Sequence, residues 1–332
     1  MLKKILIYLI VSLLLSLLIN RFYEHHLRPD SLFFSDCLAA SRQWETKVRK
    51  QGEPCYVFAG GSEVRMSIEP IDMLKEQGVR AINAATQAGN GIRCNIQIAL
   101  DFLQRGDTLV LSMFPDVTTV GENSSHGGVN FCYTQQGSKM FADGIVLPNA
   151  YNISHLLFGD SSCYSTHILR ILTRPRCIYR YSCKENARIS ESGRVEVFIR
   201  KTHISPSKSP QEIKKTPIIH FSGIASLIEQ TKRACHTRGA NLIVYLPRHC
   251  RSSIFRQTYA QTALYLTKLG IPVLRDPHLG TWENNDAYSD TPQHMSIQGG
   301  QVYSAYIAQL LKNKDYWTQE ELLHIIHAPS DS

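Results

Sequence analysis

Two metal-binding spacings are missing from this chain. It carries nine cysteines and thirteen histidines, yet no Cys-x-x-Cys and no His-x-x-x-His. That excludes the common zinc frameworks, and neither a metal nor a cofactor is expected. Aromatic residues interleaved with a basic run are also missing. The 36 lysines and arginines are scattered, so nucleic acid is not an expected partner. No internal repeat is present, which removes solenoid architectures. No small-x-small cleavage site follows the N-terminal apolar run, where Leu18-Ile19-Asn20-Arg21 is bulky.

What is present is a chain of 332 residues, 43% of them hydrophobic, enough for one large or two ordinary domains with a substantial core. Its formal charge of +8 suits anionic lipid headgroups or acidic glycans. Lys3 and Lys4 precede an apolar run at residues 5–19, which Met1, Leu2, Phe22 and Tyr23 extend. The expectation is an uncleaved single-pass transmembrane helix at 1–22, with a cleaved signal peptide as the alternative. The two lysines put the N-terminus in the cytoplasm and the body in the periplasm or cell exterior. In such an oxidising compartment some cysteines pair, and the neighbours Cys163, Cys177 and Cys183 are the first candidates.

Residues 23–50 are polar and helix-compatible, and read as a stalk. Strands are expected at 55–59, 80–85, 108–114, 241–246 and 271–274. Residues 64–77 read as turn and helix, with Pro70 at a helix start, and helices are expected at 91–104, 223–237, 252–269 and 297–312. This alternation predicts an α/β domain, a parallel sheet covered on both faces in three α/β/α layers, over residues 51–316. Residues 117–215 break the pattern and read as one large insertion ending in a basic loop at 205–215. Residues 317–332 read as a tail.

Three segments fall at strand ends and carry chemistry. Gly60-Gly61-Ser62 follows the first strand, where a hydroxyl at a glycine turn is either a nucleophile or a helix N-cap. Asn83 and Gly89, in Asn83-Ala-Ala-Thr-Gln-Ala-Gly89-Asn90-Gly91, follow the second strand. Their amides suit an oxyanion, or simply a helix-start loop. Asp286-Ala-Tyr-Ser-Asp290-Thr-Pro-Gln-His294 precedes the last helix. A serine hydroxyl needs an imidazole to take its proton, and the imidazole needs an acceptor to orient it. The order Ser62, Asp290 (or Asp286), His294 meets both needs.

Taken together, these blocks resemble the SGNH/GDSL hydrolase superfamily across residues 55–116 and 217–313. More closely they are similar to its membrane-anchored envelope members, such as the alginate O-acetyltransferase and D-alanyl-lipoteichoic acid transfer proteins. Gly-Gly-Ser62-Glu-Val-Arg65-Met-Ser-Ile68-Glu-Pro70 stands where that branch has Gly-Ser-Ser and then Ile-Asp-Pro. His294 and Gly299 match its last block. Three departures are visible. Asp290 stands four residues before His294 rather than three, Met113-Phe-Pro-Asp116 replaces Gly-x-Asn-Asp, and Gly61 replaces the aspartate of Gly-Asp-Ser.

The resemblance implies a flavodoxin-like domain and acyl-ester chemistry on an envelope glycan or glycolipid. Ser62 would be the nucleophile, His294 the base and Asp290 its orienting partner. The N–H groups of Ser62 and Gly89, with the Asn83 amide, would hold the oxyanion. Arg65 would attract an acidic substrate. The bilayer and a membrane-bound acyl exporter are the implied partners. The competing expectation is a non-catalytic module of the same fold that binds glycan or scaffolds an acylation complex.

Overall fold

In a computed structural model the chain is described at residues 2–26, 29–50, 52–113, 187–198, 221–248, 253–280, 285–289, 291 and 293–327. Its centre is a parallel sheet of β1 (Tyr56–Ala59), β2 (Ala81–Asn83), β3 (Thr108–Ser112) and β6 (Asn241–Tyr245), in the order β2-β1-β3-β6. A parallel bridge between Val244 and Val273 sets the expected strand at 271–274 beside β6 as a single contact. A separate antiparallel hairpin, β4 (Ala187–Ile189) and β5 (Val195–Val197), comes from inside the expected insertion.

Each strand is apolar on both sides, as a sheet covered on both faces requires. Val57, Ala59, Leu109, Leu111, Leu242 and Val244 point into one core. That core is completed by α2 (Pro29–Arg49), α5 (Ile92–Leu100), α6 (Phe221–Thr237) and α7 (Ser253–Lys268). Phe58, Ala81, Val110, Ile243 and Tyr245 point into the other. It is closed by α3 (Ser62–Ser67), α4 (Pro70–Gln77) and α8 (Ile297–Asn313). The fold is therefore α/β, with helices on both faces of the sheet. The segment 64–77, expected as turn and helix with a helix start at Pro70, is two helices, with α4 starting at Pro70 as expected. It breaks at Ile68 and Glu69, where Asn83 Nδ2 captures the Val64 and Ile68 carbonyls at 3.2 and 2.8 Å.

Three expected boundaries change. The stalk at 23–50 is not one, because α2 packs into the first core through Phe33, Phe34, Cys37, Trp44 and Val48. Trp44 Nε1 also donates to the Ala81 carbonyl at 2.9 Å, and Ser41 Oγ to that of Asn83 at 2.7 Å. The tail at 317–332 includes α9 (Gln319–His327), with Leu322 fully buried in the same core. The transmembrane helix is the third. Among the described residues no helix is long and apolar enough to cross a membrane. The apolar stretch at 5–19 rises only about 22 Å against a hydrocarbon core of about 30 Å. It lies within α1 (Leu2–His26), where Leu6, Leu9, Leu15, Leu18 and Phe22 are among the exposed large apolar side chains.

Cys94 is disulfide-bonded, whereas Cys37, Cys55 and Cys235 are free and buried. Cys163, Cys177 and Cys183 lie outside the described residues, as does the basic loop at 205–215.

If α2 belongs to the domain, Trp44→Ala should lower its stability by about 3–5 kcal/mol, the range for removing a buried tryptophan. Urea unfolding measures this. An unchanged midpoint would return α2 to the role of a stalk.

Candidate active site

The sheet's strand order reverses direction between β1 and β3, since the chain runs from β1 outward to β2 and then returns to the far side of β1. Open α/β sheets bind ligands at the carboxyl ends of strands flanking that point. Ser62 stands three residues past the end of β1, and Ser112 is the last residue of β3.

The turn carrying Ser62 is tight. A Cβ at Gly61 would lie 2.7 Å from the Ala88 nitrogen, and one at Gly60 would lie 2.9 Å from Ser112 Cβ. The close approach therefore needs glycine at both positions. It sets the Ser62 turn against the 3₁₀ turn Ala88–Asn90, which contains Gly89. Ser62 itself is partly exposed at the start of α3.

His294 reaches the same place from the other end of the chain. Its mount is a small folded loop in which Tyr288 bridges Met295. The His294 carbonyl accepts from Ser289 N at 2.8 Å, and Ser296 N donates to the Ala287 carbonyl at 2.8 Å. Ser296 then caps α8, its Oγ accepting from Gly299 N at 3.1 Å. A Cβ at Gly299 would collide with the Ala287 carbonyl, so this glycine admits the loop. The outcome is His294 Nε2 at 2.9 Å from Ser62 Oγ, with the ring buried and the hydroxyl accessible.

The other expected site residues are placed differently. Asp290 lies outside the described residues. Asp286 is exposed, and its backbone carbonyl accepts from Ser296 Oγ at 2.9 Å. The Asn83 amide is fully buried and faces α3. It donates to Val64 and Ile68 as above and accepts from Ala85 N at 3.2 Å, which removes it as an oxyanion donor. Asn90 Nδ2 donates to Thr86 Oγ1 at 2.8 Å. Arg65 is wholly buried and meets no solvent-borne substrate. Its Nε and Nη2 donate to the Ala85 carbonyl, and its Nη1 to the Gly193 carbonyl at 2.7 Å and to Ser41 Oγ at 3.0 Å. Burial pulls its guanidinium down to about 10.

Glu63 is a member that sequence reasoning missed, although it stands directly after Ser62. Its Oε1 accepts from Gly61 N at 2.9 Å and from Ser112 Oγ at 3.1 Å, so it ties the Ser62 turn to the end of β3. Burial pushes its carboxyl above the ordinary range, and these hydrogen bonds and the nearby His294 work against that rise. Among the described residues no group of acidic, histidine or cysteine side chains is arranged to hold a metal.

No protein-family model, curated protein or solved structure matches the chain.

The raised Glu63 carboxyl has a thermodynamic consequence. A folded-state pKa above the unfolded value of about 4.3 adds stability that is complete below that pH and lost as pH rises through the folded value. Glu63→Gln keeps an acceptor for Gly61 and Ser112 but cannot ionise. The melting temperature of the wild type should therefore fall relative to that of Glu63→Gln as pH rises from about 4 toward neutrality. Parallel curves would show that Glu63 does not titrate in this way.

Proposed function

We propose that this chain is an SGNH-like serine enzyme, an acyltransferase or esterase working on O-acyl groups of an extracytoplasmic glycan or glycolipid. The observation that carries the reading is the 2.9 Å approach of Ser62 Oγ to His294 Nε2, at the strand ends where such sheets bind ligands. Two residues this far apart in sequence are brought together by a glycine turn and a capped loop, each built for close approach.

In this reading Ser62 Oγ attacks the acyl carbonyl while His294 Nε2 takes its proton. The carbonyl oxygen becomes an oxyanion, held by the N–H groups of Ser62 and Gly89. Collapse of the tetrahedral species expels the leaving alcohol, which receives the proton from His294 and leaves an acyl-Ser62 ester. A sugar hydroxyl (transferase) or water (esterase) then attacks that ester, with His294 as base. Asp290 is the proposed orienting carboxylate.

The disulfide at Cys94 supports an oxidising compartment outside the cytoplasm. The exposed apolar side chains of α1 support attachment to lipid, with an acyl exporter in the same membrane as the acyl source. The charge of +8 suits acidic headgroups or glycans near that surface.

Ser62→Ala should abolish both labelling by a serine-directed fluorophosphonate and hydrolysis of a simple acetyl ester, with the melting temperature unchanged. Undiminished labelling of that variant would sink the assignment. Product analysis with a glycan acceptor separates the transferase from the esterase.

A further inference from the structure

We propose that Arg194 is a positioning residue whose guanidinium clamps the segment carrying His294 against the helix carrying Ser62. The inference rests on the reading of those two side chains as the reacting pair. Arg194 comes from neither segment. It leads into β5, in the hairpin returned by the long connection between β3 and β6.

The hairpin turn holds the Arg194 backbone firmly. Ser190 N donates to the Arg194 carbonyl at 2.8 Å, and Arg194 N donates to Ser190 Oγ at 3.1 Å. From there the side chain runs inward until it is 1% exposed. Its Nε donates to the Met66 carbonyl at 3.0 Å, one helical turn beyond Ser62 on α3. Its Nη2 donates to the Ser296 carbonyl at 2.9 Å and the Ile297 carbonyl at 3.3 Å. Ser296 stands two residues beyond His294 and caps α8. One rigid planar fork thus touches both halves of the pair.

A purely structural role accounts poorly for this arrangement. Arg194 Nη1 is buried without a hydrogen-bond partner among the described residues. A buried ion left incompletely satisfied stabilises a fold less than apolar packing of similar volume would. What the guanidinium supplies is fixed geometry, since its donors lie in one plane. The surroundings are shaped to receive it, because a Cβ at Gly300 would collide with Nη2. Among the described residues α3 and α8 share another tie of this kind. Ser304 Oγ donates to the Ser67 carbonyl at 3.1 Å and accepts from Glu69 N at 2.8 Å. That tie lies two turns further along α8, away from the His294 end. Arg194 holds the end that carries the imidazole.

Misplacement of a reacting group by about 1 Å costs a rate factor on the order of 100. The test uses Arg194→Lys, which keeps the charge but cannot span three carbonyls, and Gly300→Ala, which displaces the fork while leaving it charged. Two readouts are taken on the full chain. The first is the imidazole Cε1–H resonance of His294 across a pH titration, with Ser62→Ala defining the signal of a broken pair. The second is hydrolysis of a simple acetyl ester.

Arg194→Lys and Gly300→Ala should each move the His294 titration toward that of Ser62→Ala, and kcat should fall by about 10–100-fold with KM about unchanged. If the resonance answers to Ser62→Ala but to neither of the other changes, the clamp is refuted. Loss confined to KM refutes it as well. A resonance indifferent to Ser62→Ala shows that the pair itself is not in contact and removes the basis of the clamp. If the wild type hydrolyses no ester, the enzymatic reading fails, and the resonance still decides whether Arg194 sets the approach of His294 to Ser62. Should Arg194→Lys not fold, Gly300→Ala carries the comparison alone.

Discussion

Backbone carbonyls stranded where short strands give way to buried turns are the constraint that organises this domain. Each needs a donor, because an orphaned buried acceptor costs about 1–3 kcal/mol. β1 and β2 are only four and three residues long, so the turns beyond them carry many such groups inside the protein. Long polar side chains collect them. Trp44 serves Ala81, Ser41 serves Asn83, Asn83 serves Val64 and Ile68, and Arg65 serves Ala85 and Gly193. Arg194 serves Met66 and adds a second donor to the Ser296 carbonyl, which already accepts from Gly300 N, and a bond to Ile297. These bonds lock α2, α3, the hairpin and the start of α8 to one another. They also explain why Arg65 and Asn83, residues of types common at binding sites, are buried and committed to internal hydrogen bonds.

Much of this fold is legible in the sequence where a signal is periodic and local. Continuous apolar runs such as Leu109-Val-Leu111 and Leu242-Ile-Val244 announce strands buried on both faces, and punctuation by glycine marks the helix ends between them. Ser62 is legible because it follows two glycines whose lack of a Cβ lets elements touch, and His294 because a glycine five residues on, Gly299, admits its loop. α2 was illegible for a physical reason. Phe33, Phe34, Trp44 and Val48 are spaced along a helix otherwise rich in charge, so its average polarity hides a buried stripe. Charge misleads in the same way at Glu63, Arg65 and Arg194, since sequence alone prices them as solvated. Their burial follows from carbonyls and hydroxyls supplied by distant segments. The hairpin sits inside a stretch with no regular pattern, so nothing local tells that Arg194 reaches the site.

The cysteines divide along the same line between interior and surface. Cys37 and Cys235 have their thiols pushed up by burial to about 12, and Cys55 to about 11. Exchange proceeds through the thiolate, which these values make scarce. Three reduced thiols therefore persist in a chain that also holds a disulfide at Cys94 without scrambling it.

The strand order imposes a timetable on synthesis. β2, β1 and β3 are complete once residue 112 has emerged, but the free edge of β3 is covered only by β6, at 241–245. Throughout the synthesis of residues 113–240 that edge offers unpaired backbone groups to any other strand it meets. The apolar face carrying Phe58 and Val110 waits longer still, for α8 at 297–313. Until those segments emerge, the β3 edge and the part of that face covered by α8 stay exposed. Edges and apolar faces exposed in this way favour aggregation until they are covered.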